Sequence, residues 1–172
     1  DNSASADVGS SSAYGGGIYI SDTSSLAMND CTLHGNRLTG YGTYGNALYS
    51  ENSEVIGSYT TVRDNTASAT YSAYGGGFYL SASNVFLTNM QIGCEKQGVY
   101  NNYSIKIPGN SLSVSDSSGR VYGGAIYATA NSPEAYDLVI HDSLIEGNEG
   151  VAGSDFGIGE GGAIWLNNGI LR

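Results

Sequence analysis

Apolar residues recur at every second position of this chain, in short runs separated by Gly, Asn, Ser and Thr. In the first stretch the alternation runs Ile18/Ile20, then Leu26/Met28, then Cys31/Leu33, and its phase is lost between Met28 and Cys31. Period-two alternation marks strands, and a lost phase marks a corner. The pattern predicts three short strands, at about 17–21, 25–29 and 30–34. A helical reading fails because Gly pairs, Asn, Ser and Thr all disfavour helix interiors.

The pattern repeats. Tyr14-Gly-Gly-Gly-Ile-Tyr-Ile20 has copies at Tyr44–Ser50, Tyr74–Leu80, Tyr122–Ala128 and Glu160–Leu166, whose starts lie 30, 30, 48 and 38 residues apart. A second motif follows the first four copies. Leu26–Asn36 aligns without gaps onto Leu138–Asn148, and Val55–Asn65 and Val85–Glu95 keep its apolar positions. A unit of about 30 residues with three short strands cannot bury a face alone, but stacked coils can. The expected fold is all-β: a right-handed parallel β-helix of about five coils, the hand following from the parallel-crossover rule.

Stacking assigns each repeated position a place. Ile18, Leu48, Phe78, Ile126 and Ile164 form one inward column, and Leu33, Val62, Ile92 and Ile145 another. Asn36, Asn65 and Asn148 share a corner where Asn tolerates positive φ and can bond its copy in the next coil, with Glu95 breaking that column. Tyr19, Tyr49, Tyr79, Tyr127 and Trp165 alternate with the first inward column, so they point outward as an aromatic strip. Tyr14, Tyr44, Tyr74 and Tyr122 make a second column beside it. Such a strip has two readings: a binding surface for sugar rings or a neighbouring subunit, or like-pair stacking that stabilises parallel strands.

The two long intervals carry about 18 and 8 surplus residues. The single segment 1–172 thus contains an insertion at 96–120, in which Tyr103–Ile107 and Ser111–Val114 flank Pro108-Gly109-Asn110 and read as a projecting hairpin. Asn102-Tyr103-Ser104 is an N-glycosylation acceptor triplet within it.

Composition narrows the function. Six Lys and Arg against 16 Asp and Glu give a net charge of −10, which disfavours nucleic acid and anionic membrane surfaces as partners. Charged residues are only 13% of the chain, so its surface is built from Ser, Thr, Asn, Gly and Tyr, a profile suited to extracellular β-rich proteins. No apolar run reaches the ~18 residues of a membrane helix. A start at Asp1 without a leader reads as a processed or excised piece, part of a longer solenoid or of an assembly.

The paired motifs resemble the polymorphic membrane protein (Pmp) repeats of autotransporter passengers, marked by Gly-Gly-Ala-Ile/Leu/Val and Phe-x-x-Asn. Gly123–Ile126 and Gly161–Ile164 match the first motif fully, and Gly15, Gly45 and Gly75 open variants. The second appears as Leu33-x-x-Asn36, Val62-x-x-Asn65 and Ile145-x-x-Asn148, without the Phe. The resemblance implies a surface-displayed β-helix involved in adhesion.

No catalytic constellation emerges. Glycosidase carboxylates stand about 5–5.5 or 6.5–9.5 Å apart, one or two coils at one register. Asp30 and Asp142 share a register three coils apart; Asp64 and Glu95 are the best adjacent pair, beside Arg63 alone among basic groups. His34 and His141 fall in different columns, no metal-ligand spacing is found, and no cofactor is implied. Cys31, in register with Thr60, Met90 and Ser143, is expected to be a buried thiol. Cys94 is expected to be a partly exposed thiol or an intermolecular link, too far from Cys31 for an intramolecular disulfide. The expectation is a non-catalytic adhesin-like scaffold at the cell surface or outside the cell. Its partners would be a glycan, a host surface or its own copies. Two alternatives stand beside it: a subunit of an extracellular filament, and a polysaccharide-binding or polysaccharide-degrading β-helix.

Overall fold

The structure is a computed structural model, which describes residues 2–6, 10–93, 98–100, 103–105, 109–130, 137–153, 156–168 and 170–172. Among these residues there is no helix, and the strands form four parallel sheets plus one antiparallel hairpin. One full coil runs Arg37–Tyr44, Leu48–Glu51, Glu54–Ser58 and Thr61–Arg63, giving one strand to each sheet in turn. Its copy in the next coil runs Thr66–Tyr74, Phe78–Ser81, Asn84–Thr88 and Gln91–Gly93. Each strand pairs in parallel with its counterpart one coil away, so the chain is a parallel β-helix of about five coils.

The inward columns stand in the expected register. Ile18 pairs with Leu48, Leu48 with Phe78, Phe78 with Ile126 and Ile126 with Ile164. Leu33, Val62, Ile92 and Ile145 align in the same way. Leu48, Phe78, Ile126, Val62 and Ile92 are fully buried and, with Val55, Val85, Leu87 and Met90, make the main core between the second, third and fourth sheets. At roughly 25 cal/mol per Å² of apolar area removed from water, these stacked side chains supply most of the driving force.

Each coil has four strands, not three. The extra one forms the first sheet, which buries its own cluster of Leu38, Ala67, Ala69, Ala73, Leu112, Val114 and Val121. Four corners join the strands, and each is marked by residues in the left-handed region, one per coil except in the first coil, where Thr23 (φ 64°) joins Asp22 at the second corner. The first carries Gly15, Gly45, Gly75, Gly123 and Gly161; the second Asp22, Asn52, Ala82 and Asn168. The third carries Asp30, Tyr59, Asn89 and Asp142; the fourth Gly35, Asp64 and Gly147. Their φ values lie between 47 and 68°. Asn and Asp dominate the non-Gly positions because their short polar side chains lessen the αL penalty. At the fourth corner the left-handed residue precedes the column asparagine, so Asn36, Asn65 and Asn148 are not themselves the αL residues. In the doublet Gly75-Gly76 the two glycines serve different needs. Gly75 makes the left-handed turn, whereas a Cβ on Gly76 would strike the carbonyl oxygen of Gly124 in the next coil.

The insertion is placed differently from expectation. Ser111–Val114 pairs in parallel with Thr66–Ala69, and Arg120–Tyr122 pairs with Ser72–Tyr74, so both belong to the first sheet. The hairpin is formed instead by Gly98–Tyr100 and Tyr103–Ile105. It interrupts the coil between Gly93, which pairs with Glu146, and Asn110, which bonds Asn148. The asparagine column is therefore continued by Asn110. It is not broken by Glu95, which lies outside the described residues.

Candidate functional site

Two linear arrays run along the stack, one inside and one outside. The inner array is an asparagine ladder at the fourth corner. Each carboxamide Nδ2 donates to the Oδ1 of its copy in the next coil: Asn2 to Asn36 at 3.1 Å, Asn36 to Asn65 at 2.8 Å, Asn65 to Asn110 at 2.7 Å and Asn110 to Asn148 at 2.8 Å. A second bond from the same Nδ2 holds the fourth sheet, from Asn65 to Leu33 O, Asn110 to Val62 O and Asn148 to Ile92 O. All the amide dipoles point one way along the axis, an arrangement in which each bond polarises the next. Asn46 extends this polar seam across the interior. It occupies the position of Gly16, Gly76 and Gly124, is fully buried, and donates from Nδ2 to Ser111 O at 3.0 Å and Asn65 O at 3.4 Å. Among the described residues its Oδ1 has no partner, and neither has the buried Thr43 Oγ1. Asn2, Asn46 and Asn110 were not marked by the motif spacing. For Asn110 a signal did exist, since Gly109-Asn110 repeats the dipeptide of Gly35-Asn36 and Gly147-Asn148.

The outer array is the aromatic strip. Tyr19, Tyr49, Tyr79, Tyr127 and Trp165 stack with ring centroids 4.9, 5.0, 4.9 and 4.5 Å apart and planes within 8° of parallel. Tyr14, Tyr44, Tyr74 and Tyr122 form the parallel column at 4.8, 4.9 and 5.2 Å. The columns interlock edge to face, as between Tyr44 and Tyr79 at 5.2 Å and 89°. The spacing follows from the ~4.8 Å strand separation, which brings in-register rings into contact without strain. Tyr41 and Tyr71 add a further stacked pair at 5.5 Å on the first sheet.

This packing decides what the strip presents. Ring faces cover one another, so Tyr49 is only 6% exposed although it points outward, whereas Tyr19, in the end strand of its sheet, is 54% exposed. The strip offers ring edges and hydroxyls rather than faces. Burial, reinforced by neighbouring tyrosines, pushes the phenol of Tyr127 up to about 12 and those of Tyr44, Tyr49, Tyr74 and Tyr79 upward as well. Tyr49 also donates to Glu51 Oε2 at 3.0 Å, which holds its proton further, and Trp165 Nε1 donates to Glu160 Oε2 at 3.0 Å.

The remaining candidates are not drawn into a site. Asp30 and Asp142 occupy the same corner, with Tyr59 and Asn89 between them. Glu95, Cys94 and Asn102 lie outside the described residues. Among the described residues no three His, Cys, Asp or Glu side chains gather as a metal site. Cys31 is exposed, not buried: it lies against the end strand Thr32–His34 of the fourth sheet and among the described residues has a stacking neighbour on one side only, whereas Thr60 and Met90 in its column are covered on both. Comparison of the chain with protein-family models, with curated proteins and with solved structures gave no match.

Proposed function

We propose that this chain is a non-catalytic display scaffold of the adhesin type, working at the cell surface or outside the cell. The observation that carries this reading is the way the hairpin is inserted. It leaves the coil after Gly93, and the ladder resumes at Asn110 with the same bond lengths as elsewhere. The coil's hydrogen bonding is thus undisturbed by the residues inserted between Gly93 and Asn110, and inserted loops are where binding residues concentrate. The low charge density and the resemblance to Pmp repeats point the same way.

The test is to replace residues 94–108 with a short Gly-Ser turn and measure adhesion of protein-coated beads to glycan arrays and to cell surfaces. The expected result is loss of adhesion with an unchanged thermal melt. Adhesion that survives the replacement, or none by the parent protein, refutes the reading.

A second reading, a subunit of a filament, is favoured by the last coil. A Cβ built at Gly162 would meet nothing within 4 Å, while its counterparts Gly76 and Gly124 are pressed against the next coil's backbone. Val151, Ile158 and Leu171 of that coil are 40–50% exposed. Another copy of the chain that stacked a coil there would cover this surface. A polysaccharide site built on ring stacking along the middle of the strip is disfavoured, because the ring faces there are turned to one another.

A further inference from the structure

We propose that the aromatic column is a one-electron relay, carrying oxidising equivalents from the partly exposed Trp165 at one of its ends to the buried Tyr49. This goes beyond the display role and does not depend on it. Four observations combine. Neighbouring rings from Trp165 to Tyr49 are stacked at 4.5–5.0 Å without a gap, so electron exchange between them needs no movement of the chain. Trp165 is partly exposed, and Tyr127 covers one of its faces. Tyr49 is 6% exposed, closed to a diffusing oxidant. Both terminal groups have a carboxylate in place to receive a proton, Glu160 at Trp165 and Glu51 at Tyr49, each at 3.0 Å.

The steps balance. A one-electron oxidant such as the azide radical takes an electron from Trp165 and becomes azide, and the Nε1 proton passes to Glu160. An electron then moves along the stack from Tyr49 to Trp165. The indole recovers its proton from Glu160, and the phenol proton of Tyr49 passes to Glu51, leaving a neutral phenoxyl. The net change is one electron to the oxidant and one proton to Glu51.

Pulse radiolysis with the azide radical tests this, because Trp165 is the only tryptophan and its indolyl absorption is a unique reporter. In the parent protein the indolyl band should decay into the phenoxyl band at a rate independent of protein concentration. Tyr127→Phe keeps a stacked ring but removes the oxidisable phenol, and should prolong the indolyl radical several-fold. Tyr79→Phe should do the same, and serves if the first variant folds poorly. Tyr59→Phe, at a 64% exposed position on the third corner, should change nothing. Glu51→Gln, which removes the proton acceptor of Tyr49, should likewise prolong the indolyl radical. An indolyl lifetime unaltered in both stack variants, or a decay that scales with protein concentration, overturns the proposal.

Discussion

Replacing Asn65 with Ala removes the middle rung of the ladder. Asn65 is fully buried; its Oδ1 accepts from Asn36 Nδ2 at 2.8 Å and from the Asn36 N–H at 3.1 Å, and its Nδ2 donates to Leu33 O at 3.0 Å. The substitution strands those three groups, while Asn110 Oδ1 still accepts from the Asn65 backbone N–H at 3.3 Å. An orphaned buried polar group costs about 1–3 kcal/mol, and Leu33 is only half-buried, so its carbonyl falls at the low end. The expected loss is about 3–7 kcal/mol, a large part of the ~5–15 kcal/mol by which a domain is folded. Urea unfolding followed by circular dichroism should show the midpoint fall with little change in slope. Asn46→Gly supplies the contrast. It removes an Oδ1 without a partner among the described residues and installs the residue other coils carry there. Of the two carbonyls that Nδ2 serves, Asn65 O keeps the Ser111 N–H at 2.8 Å, so the main loss is the bond to Ser111 O and the cost should be smaller by about 2 kcal/mol. Equal losses for the two variants, or a loss below about 1 kcal/mol for Asn65→Ala, would refute the view that the ladder's bonds hold the corner.

Tyr59 has φ 48° and an exposed side chain at a corner shared with Asp30, Asn89 and Asp142, so Tyr59→Asn should stabilise by about 1 kcal/mol, read as a higher Tm; a lower Tm sinks the corner assignment. Raising pH should leave stability unchanged until about 10, where unfolded phenols ionise, and then lower it through about 12, because the folded state keeps protons that the unfolded state has lost. Stability that rises over that window contradicts the burial of the columns. Phe78→Ala, in the fully buried inward column, should cost about 3–5 kcal/mol, whereas Phe86→Ala on the outer face of the third sheet, 42% exposed, should cost well under half as much. Similar melts for the two variants would reverse the assignment of inward and outward faces.

The columns of Ile18 and Leu33 were readable from the chain alone, because period-two alternation and an exact repeat both place a residue on a face, and stacking then follows. The first sheet was not readable. Arg37–Tyr44 and Thr66–Tyr74 are made largely of Gly, Ala, Ser, Thr and Tyr, and a register shift between Ala69 and Ser72 breaks the alternation, so no hydrophobic period marks them as strands. Their burial rests on small residues closing the far side of an already stacked helix, a property of the assembled coils. Asn110 escaped for a related reason: the insertion displaced it along the chain, and only space restores it to its rung. Cys31 has inward register yet is exposed, since burial needs a neighbour above and below and a sequence position names neither. The aromatic strip divides the two sources most clearly. Repeat spacing put Tyr19, Tyr49, Tyr79, Tyr127 and Trp165 in one outward column, but only the ~4.8 Å separation of parallel strands turned their faces onto one another and closed the faces of the inner three.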